Sequence, residues 1–125
     1  MILRVFALLT ALLLGWPAEP AWAQDVQPVP PLTGRVMDRT GTLSPEQIAA
    51  IAMRAAAIEQ AKGSQVVVLM VPTTAPEDIA SYANRVANAW KIGRREVGDG
   101  VLLIVALNDR RVRIEVAKAL EGAVP

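Results

Sequence analysis

Residues 99–116, DGVLLIVALNDRRVRIEV, constrain the fold more than any other stretch of the chain. They open on a Gly98-Asp99-Gly100 turn, run through six apolar residues from Val101 to Ala106, reverse around Asn108-Asp109 and return in strict alternation. Such a pattern predicts a buried strand, a turn and a half-buried partner strand. Successive strand residues point to opposite faces, so Val112, Ile114 and Val116 share one side of the returning strand and Arg111, Arg113 and Glu115 the other. A fully buried strand needs a layer on each face of its sheet, and the preceding sequence supplies candidates.

The first is announced by Ser44-Pro45-Glu46-Gln47. Ser44 is placed to cap, Pro45 stands where a missing N–H costs nothing, and Gln47 completes a capping box. Ile48, Ile51, Ala55 and Ile58 then form an apolar stripe on a helix expected to end near Lys62-Gly63. QVVVLMV, residues 65–71, is a continuous aliphatic run closed by Pro72, the pattern of a central strand covered on both faces. Thr74 and Glu77 stand at capping-box spacing before a second amphipathic helix, expected over 75–90, whose apolar face carries Ile79, Tyr82, Ala83, Val86, Ala89 and Trp90. Residues 35–37 allow a short first strand. After the hairpin, residues 117–122 suggest another helix or turn, and a third helix is needed to cover the sheet evenly.

A strand, a helix and a strand of these lengths form a β-α-β unit, for which parallel strands and a right-handed crossover are expected. This fixes which loops share an edge. Pro72-Thr73-Thr74 and Asn108-Asp109-Arg110 follow the C-terminal ends of the two strands, and Asp38, before the first helix, falls at the same edge. Asp99 belongs to the opposite one. Ligands of open α/β sheets sit beyond the carboxyl ends of strands, so Asp38, Thr73, Thr74, Asp109 and Arg110 are the candidate site.

Composition narrows the chemistry and the compartment. Residues 1–23 carry one early cation, Arg4, then an apolar run from Val5 to Gly15, Pro17, and Ala21-Trp22-Ala23 before Gln24, the pattern of a cleaved secretory signal. Eleven apolar residues fall short of the roughly 20 that span a bilayer. Removing Arg4 and Glu19 leaves twelve basic and eleven acidic side chains, a balance that offers no electrostatic footprint for nucleic acid. Residues 24–34 are polar and Pro-rich and read as an extended leader or linker, with one domain over 35–125. With no Cys and no His, the chain has no thiol chemistry, no Ser-His-Asp hydrolysis and no ordinary zinc site. No glycine-rich phosphate loop is present. Carboxylate chemistry remains, with Asp38 and Asp109 as oxygen ligands for Ca²⁺ or Mg²⁺ and Asp99 as a secondary candidate. Thr73, Thr74 and Arg110 are the candidate anion or substrate contacts. No zinc, nucleotide or haem is expected. Asp109 and Asp99 also suit turns for conformational reasons alone.

Three stretches, GRVMDRTGTLSPEQ, IASYANRVANAWKIGRREVGDGVLLIVALNDRRVRIEV and the terminal ALEGAVP, resemble the TPM domain family, extracytoplasmic domains of bacterial envelope and thylakoid-lumen proteins. The resemblance covers about residues 34–125. It implies a three-layer α/β/α sandwich around a mixed sheet, and a domain continuing past Pro125, often into a transmembrane helix, which would be the only route to membrane attachment. It also implies a phosphatase label and divalent-cation binding through acidic loop residues, with Asp38, Asp99 and Asn108-Asp109-Arg110 at the family's positions. Arg39-Thr40 and Ala117-Lys118-Ala119 depart from its pattern. The expectation is an exported module, periplasmic or membrane-associated on the extracytoplasmic side, with an envelope protein as partner, or alternatively a cation-dependent phosphatase.

Overall fold

The computed structural model describes residues 25–93 and 99–116. Residues 1–24, where a secretory signal is expected, the charged connection after Gly93 and the segment following Val116, where a further helix or turn is expected, lie outside the described residues. Among the described residues four strands and two helices follow in the order β1 (Val36–Asp38), α1 (Pro45–Lys62), β2 (Gln65–Val71), α2 (Ile79–Trp90), β3 (Gly100–Ala106) and β4 (Arg111–Val116).

The strands lie in the order β1-β2-β3-β4, with β1, β2 and β3 parallel and β4 antiparallel to β3. This is the mixed α/β sheet expected. Pairing of Gln65 with Gly100 through Val71 with Ala106 keeps β2 and β3 in register along their whole length. Gly100 is required at its position, because a Cβ there would meet the Gly93 backbone N at 2.8 Å.

Register divides the sheet into two unlike faces. One carries Met37, Val67, Leu69, Val71, Leu102, Ile104 and Ala106, which form the core with Tyr82, Ala83 and Val86 of α2. Leu69, Leu102 and Ile104 are 0% exposed and Tyr82 is 1% exposed. The other face carries Val36, Val68 and Met70 together with Val101, Leu103 and Val105, flanked by Val112, Ile114 and Val116. Here α1 covers the β1 and β2 half, where Val36, Val68 and Met70 are buried, and only Ala55 of the helix is itself buried. The β3 and β4 half is open among the described residues: Val112 is 63% and Ile114 51% exposed. The alternation of β4 was read correctly, but its apolar side is not half-buried, because α1 does not reach it.

Local signals explain α1. Ser44 accepts from the Gln47 N–H, Gln47 returns a bond to the Ser44 N–H, and Gly63 closes the helix at φ 74. The start of α2 differs from the expectation. Thr74 and Glu77 do not form a capping box; the cap is Asp78, which accepts from the Ser81 N–H at 2.7 Å. Thr74 is instead buried, its hydroxyl donating to the Glu77 carbonyl at 3.0 Å, so a turn separates β2 from the helix.

The Pro-rich stretch over 25–33 forms no helix or strand, and it is held against α2 and the loop before it. Trp90 Nε1 donates to the Pro30 carbonyl at 2.8 Å, an Arg85 guanidinium N–H donates to the Gln27 carbonyl at 2.7 Å, and Gln27 donates to the Ala75 carbonyl at 3.1 Å. Pro30 is buried and Val29 packs on the core.

Candidate functional site at the loop edge of the sheet

Because β1, β2 and β3 run parallel, the loops that follow them leave from one edge. Backbone bonds beyond the strand ends carry the ladder into those loops. Arg39 donates to the Met70 carbonyl at 2.9 Å, Leu107 to the Val71 carbonyl at 3.0 Å, and Asn108 to the Pro72 carbonyl at 2.8 Å. Asp38, Thr73, Thr74, Asp109 and Arg110 therefore share this edge, as expected. Asp99 lies at the other end of β3, where its carbonyl accepts from the Gln65 N–H at 3.0 Å. The length of β3 separates Asp99 from Asp109 by about 23 Å, so the two belong to no common site.

Asp38 holds its own loop. One carboxylate oxygen accepts from the Thr40 N–H at 2.9 Å and from the Thr40 hydroxyl, and the other accepts from the Leu43 N–H at 2.7 Å. Burial by itself raises the carboxyl pKa, but the donors, led by the Leu43 N–H and the Thr40 hydroxyl, outweigh it and bring the value from 3.8 down to about 2. The result is an ionised side chain that fixes the entry into α1.

Asp109 is held from a distance in sequence. The Thr73 hydroxyl donates to both of its oxygens, at 2.8 and 2.9 Å, and the Thr74 N–H donates at 3.0 Å. Thr73 in turn accepts from the Ala75 N–H at 3.0 Å. The hairpin turn is thereby fastened to the loop after β2. Turn chemistry alone does not account for Asp109, whose carboxylate serves the neighbouring loop. Arg110, the last residue of the turn, has φ 53 and is exposed.

A network behind these loops was missed in the sequence. Glu77 accepts from Arg85 through Nε at 3.1 Å and through a terminal nitrogen at 2.8 Å, while the guanidinium lies 5.5 Å from the Tyr82 ring centroid. Glu77 lies before the helix cap and Arg85 within α2, so helical spacing gave no signal for the pair.

Asp38 and Asp109 meet at one edge but not in one ligand set. Asp38 ends β1 and Asp109 lies in the turn after β3, on either side of β2. Both carboxylates are turned to loop donors, and among the described residues no group of three or more acidic side chains is assembled that could hold a metal ion. What the edge does present is a fixed surface of exposed Arg39, Leu107, Asn108 and Arg110.

No curated protein sequence matches the chain. Among solved structures, the N-terminal domain of a protein from P. gingivalis is similar at 30% identity, with a TM-score of 0.66 over 72% of this chain and 57% of that one. The N-terminal domain of a Corynebacterium glutamicum protein shares the fold, with 16% identity and a TM-score of 0.60 over 82% of this chain and 60% of that one. The chain spans less than two thirds of the length of either solved domain. The family model of the TPM domain matches residues 36–125, from β1 through the candidate edge and beyond, and the chain therefore belongs to the TPM domain family.

Proposed function

We propose that the chain is a non-catalytic extracytoplasmic binding or assembly module whose loop edge docks an envelope protein. The observation that carries this reading is the state of the two aspartates. Asp38 and Asp109 each accept hydrogen bonds on both oxygens from loop donors, which ties the two carboxylates to the loops they hold. Loops fixed in this way offer a rigid surface, which lowers the ordering cost of docking. The secretory pattern of residues 1–23 supplies the compartment, and no helix among the described residues is long and apolar enough to cross a membrane.

A divalent cation, Ca²⁺ or Mg²⁺, enters this reading as an ion completed by oxygens of the partner, because the edge offers too few by itself. The alternative is a cation-dependent phosphatase in which Arg110 and the two threonines hold the anion. It is favoured by one observation, the convergence of Asp38, Thr73, Thr74, Asp109 and Arg110 at one edge.

Hydrolysis of a generic phosphomonoester, measured with and without millimolar Ca²⁺ or Mg²⁺, separates the two. The expected result is no turnover above buffer and no rise in melting temperature with calcium for the chain, Asp38→Asn or Asp109→Asn. Cation-dependent turnover that either substitution abolishes would replace the binding module with the phosphatase. A photo-crosslinker at Asn108 gives the positive test: it should capture a defined envelope protein that the same probe at exposed Met53 does not.

A further inference from the structure

The edges of the sheet are treated differently. At one side β1 is three residues long, the usual way of denying a partner strand anything to pair with. At the other, β4 runs for six residues with unbroken register against β3, containing no proline, glycine or bulge. Nothing pairs with its outer side among the described residues. An outer strand of this length offers a row of free N–H and C=O groups.

We propose that β4 pairs antiparallel with β4 of a second copy, joining two sheets into one of eight strands. Side-chain order selects this occupant and its register. Antiparallel pairing about Ile114 places Arg113 opposite the Glu115 position of the other copy, and this occurs twice by symmetry. Ile114 then meets its own counterpart, and Val112 meets the Val116 position. Over residues 112–116 every facing pair is thus opposite in charge or apolar on both sides, the combinations that stabilise cross-strand neighbours. Sliding by two residues to centre on Arg113 sets two guanidinium groups against each other. Sliding by one turns the apolar side of one strand to the charged side of the other.

The side chains are available for the exchange. Arg113 and Glu115 bridge within their own strand at 3.3 Å; Arg113 is exposed, and Glu115, partly covered, also accepts from the Asn84 side chain of α2 at 3.5 Å, so the strand's own bridge competes with the exchange through a single partly exposed pair. The apolar side of β4 is also the one α1 leaves uncovered, so the joined strands would extend Leu103, Val105, Val112 and Ile114 as one surface. The proposal concerns the edge of the strand and is independent of the loop edge, which lies at the strand ends.

Sedimentation velocity across a concentration series tests it. The wild-type chain should show a reversible dimer. Arg113→Glu and Glu115→Arg should each weaken self-association by about tenfold or more, because each replaces two attractive pairs with two like-charged ones. An equimolar mixture of the two variants should restore the dimer as a heterodimer. In that mixture one copy is acidic at both positions 113 and 115 and the other is basic at both, so each facing pair is again opposite in charge, although neither chain retains an internal bridge. Circular dichroism of each variant reports whether it folds, and the mixture supplies the decisive arm. A wild-type chain that stays monomeric at millimolar concentration overturns the proposal. So does a dimer that both variants leave unchanged, or a mixture with no heterodimer.

Discussion

The two faces of the sheet are built from the same strands and similar residues, yet they differ in how completely water is excluded. Against α2, side chains from all three parallel strands are buried, and Leu69, Leu102, Ile104, Ala83 and Val86 are 0% exposed. Against α1, the helix buries only Ala55, while its Ile58 remains 44% and its Met53 73% exposed. The helix with the stronger local signals is the one that packs less. Its capping box, N-terminal proline and C-terminal glycine fix where α1 begins and ends, and they say little about how much it buries. α2 has one side-chain cap and draws its stability from the core. Helix formation and helix packing are thus separate demands, met here by different residues.

Adjacent leucines of β3 provide the largest test of this difference. Leu102 is 0% exposed and faces α2, whereas Leu103 is half-buried on the other face. Leu102→Ala should cost about 3–4 kcal/mol, the transfer and cavity terms of a full core truncation. Leu103→Ala should cost about 1–2 kcal/mol, since part of the side chain is already in water. Denaturant midpoints at unchanged m-value measure both. Equal costs would mean that the second face is as dry as the first when the chain is in solution, and the comparison would fail.

The next effect lies at the loop edge and depends on pH. Asp38 has a folded pKa of about 2 against an ordinary 3.8, so the unfolded chain takes up the proton first as pH falls. Its contribution is complete above the unfolded value and is lost as pH drops from about 4 towards 2. The gap corresponds to at most about 2.4 kcal/mol, and solvent screening at this partly exposed loop reduces the expected contribution to about 1 kcal/mol. Asp38→Asn should lower stability by that amount at neutral pH and flatten the acid limb of the stability profile by the same amount. A variant whose acid limb superimposes on wild type would show that the carboxylate does not hold the loop.

Much of this architecture was legible in the sequence because the decisive signals were local. Period-two alternation located β4, the aliphatic runs located β2 and β3, and Ser44 with Gly63 bounded α1. The placement of Asp38, Thr73, Thr74, Asp109 and Arg110 at one edge, with Asp99 at the other, followed from parallel strands alone. What could not be read were choices settled by residues far away in the chain. Thr74 had the spacing of a cap, but burial turned its hydroxyl to the Glu77 carbonyl and left capping to Asp78. Asp109 suited a turn, but Thr73 and Thr74, 36 and 35 positions earlier, claim its carboxylate. Proline content marked the leader as extended, yet Arg85 and Trp90, 58 and 60 positions from the residues they bind, hold it down. Hydrogen-bond partners chosen by the tertiary fold have no periodic signature.

The smallest expected effect is also the most direct measure of the open side. Ile58 belongs to the apolar stripe of α1 by spacing, and a stripe facing a sealed core would make Ile58→Ala cost about 2–5 kcal/mol. At 44% exposure the side chain already keeps much of its surface in water, so only a fraction of the burial term is at stake. The position is also within an 18-residue helix, where alanine is a better helix former than isoleucine by about 0.4 kcal/mol, which offsets part of the loss. The two terms nearly cancel, and Ile58→Ala should change stability by less than about 0.5 kcal/mol. A cost above about 2 kcal/mol would show that α1 is covered at this position in solution, and would place the missing contact on the C-terminal half of the helix rather than on the sheet.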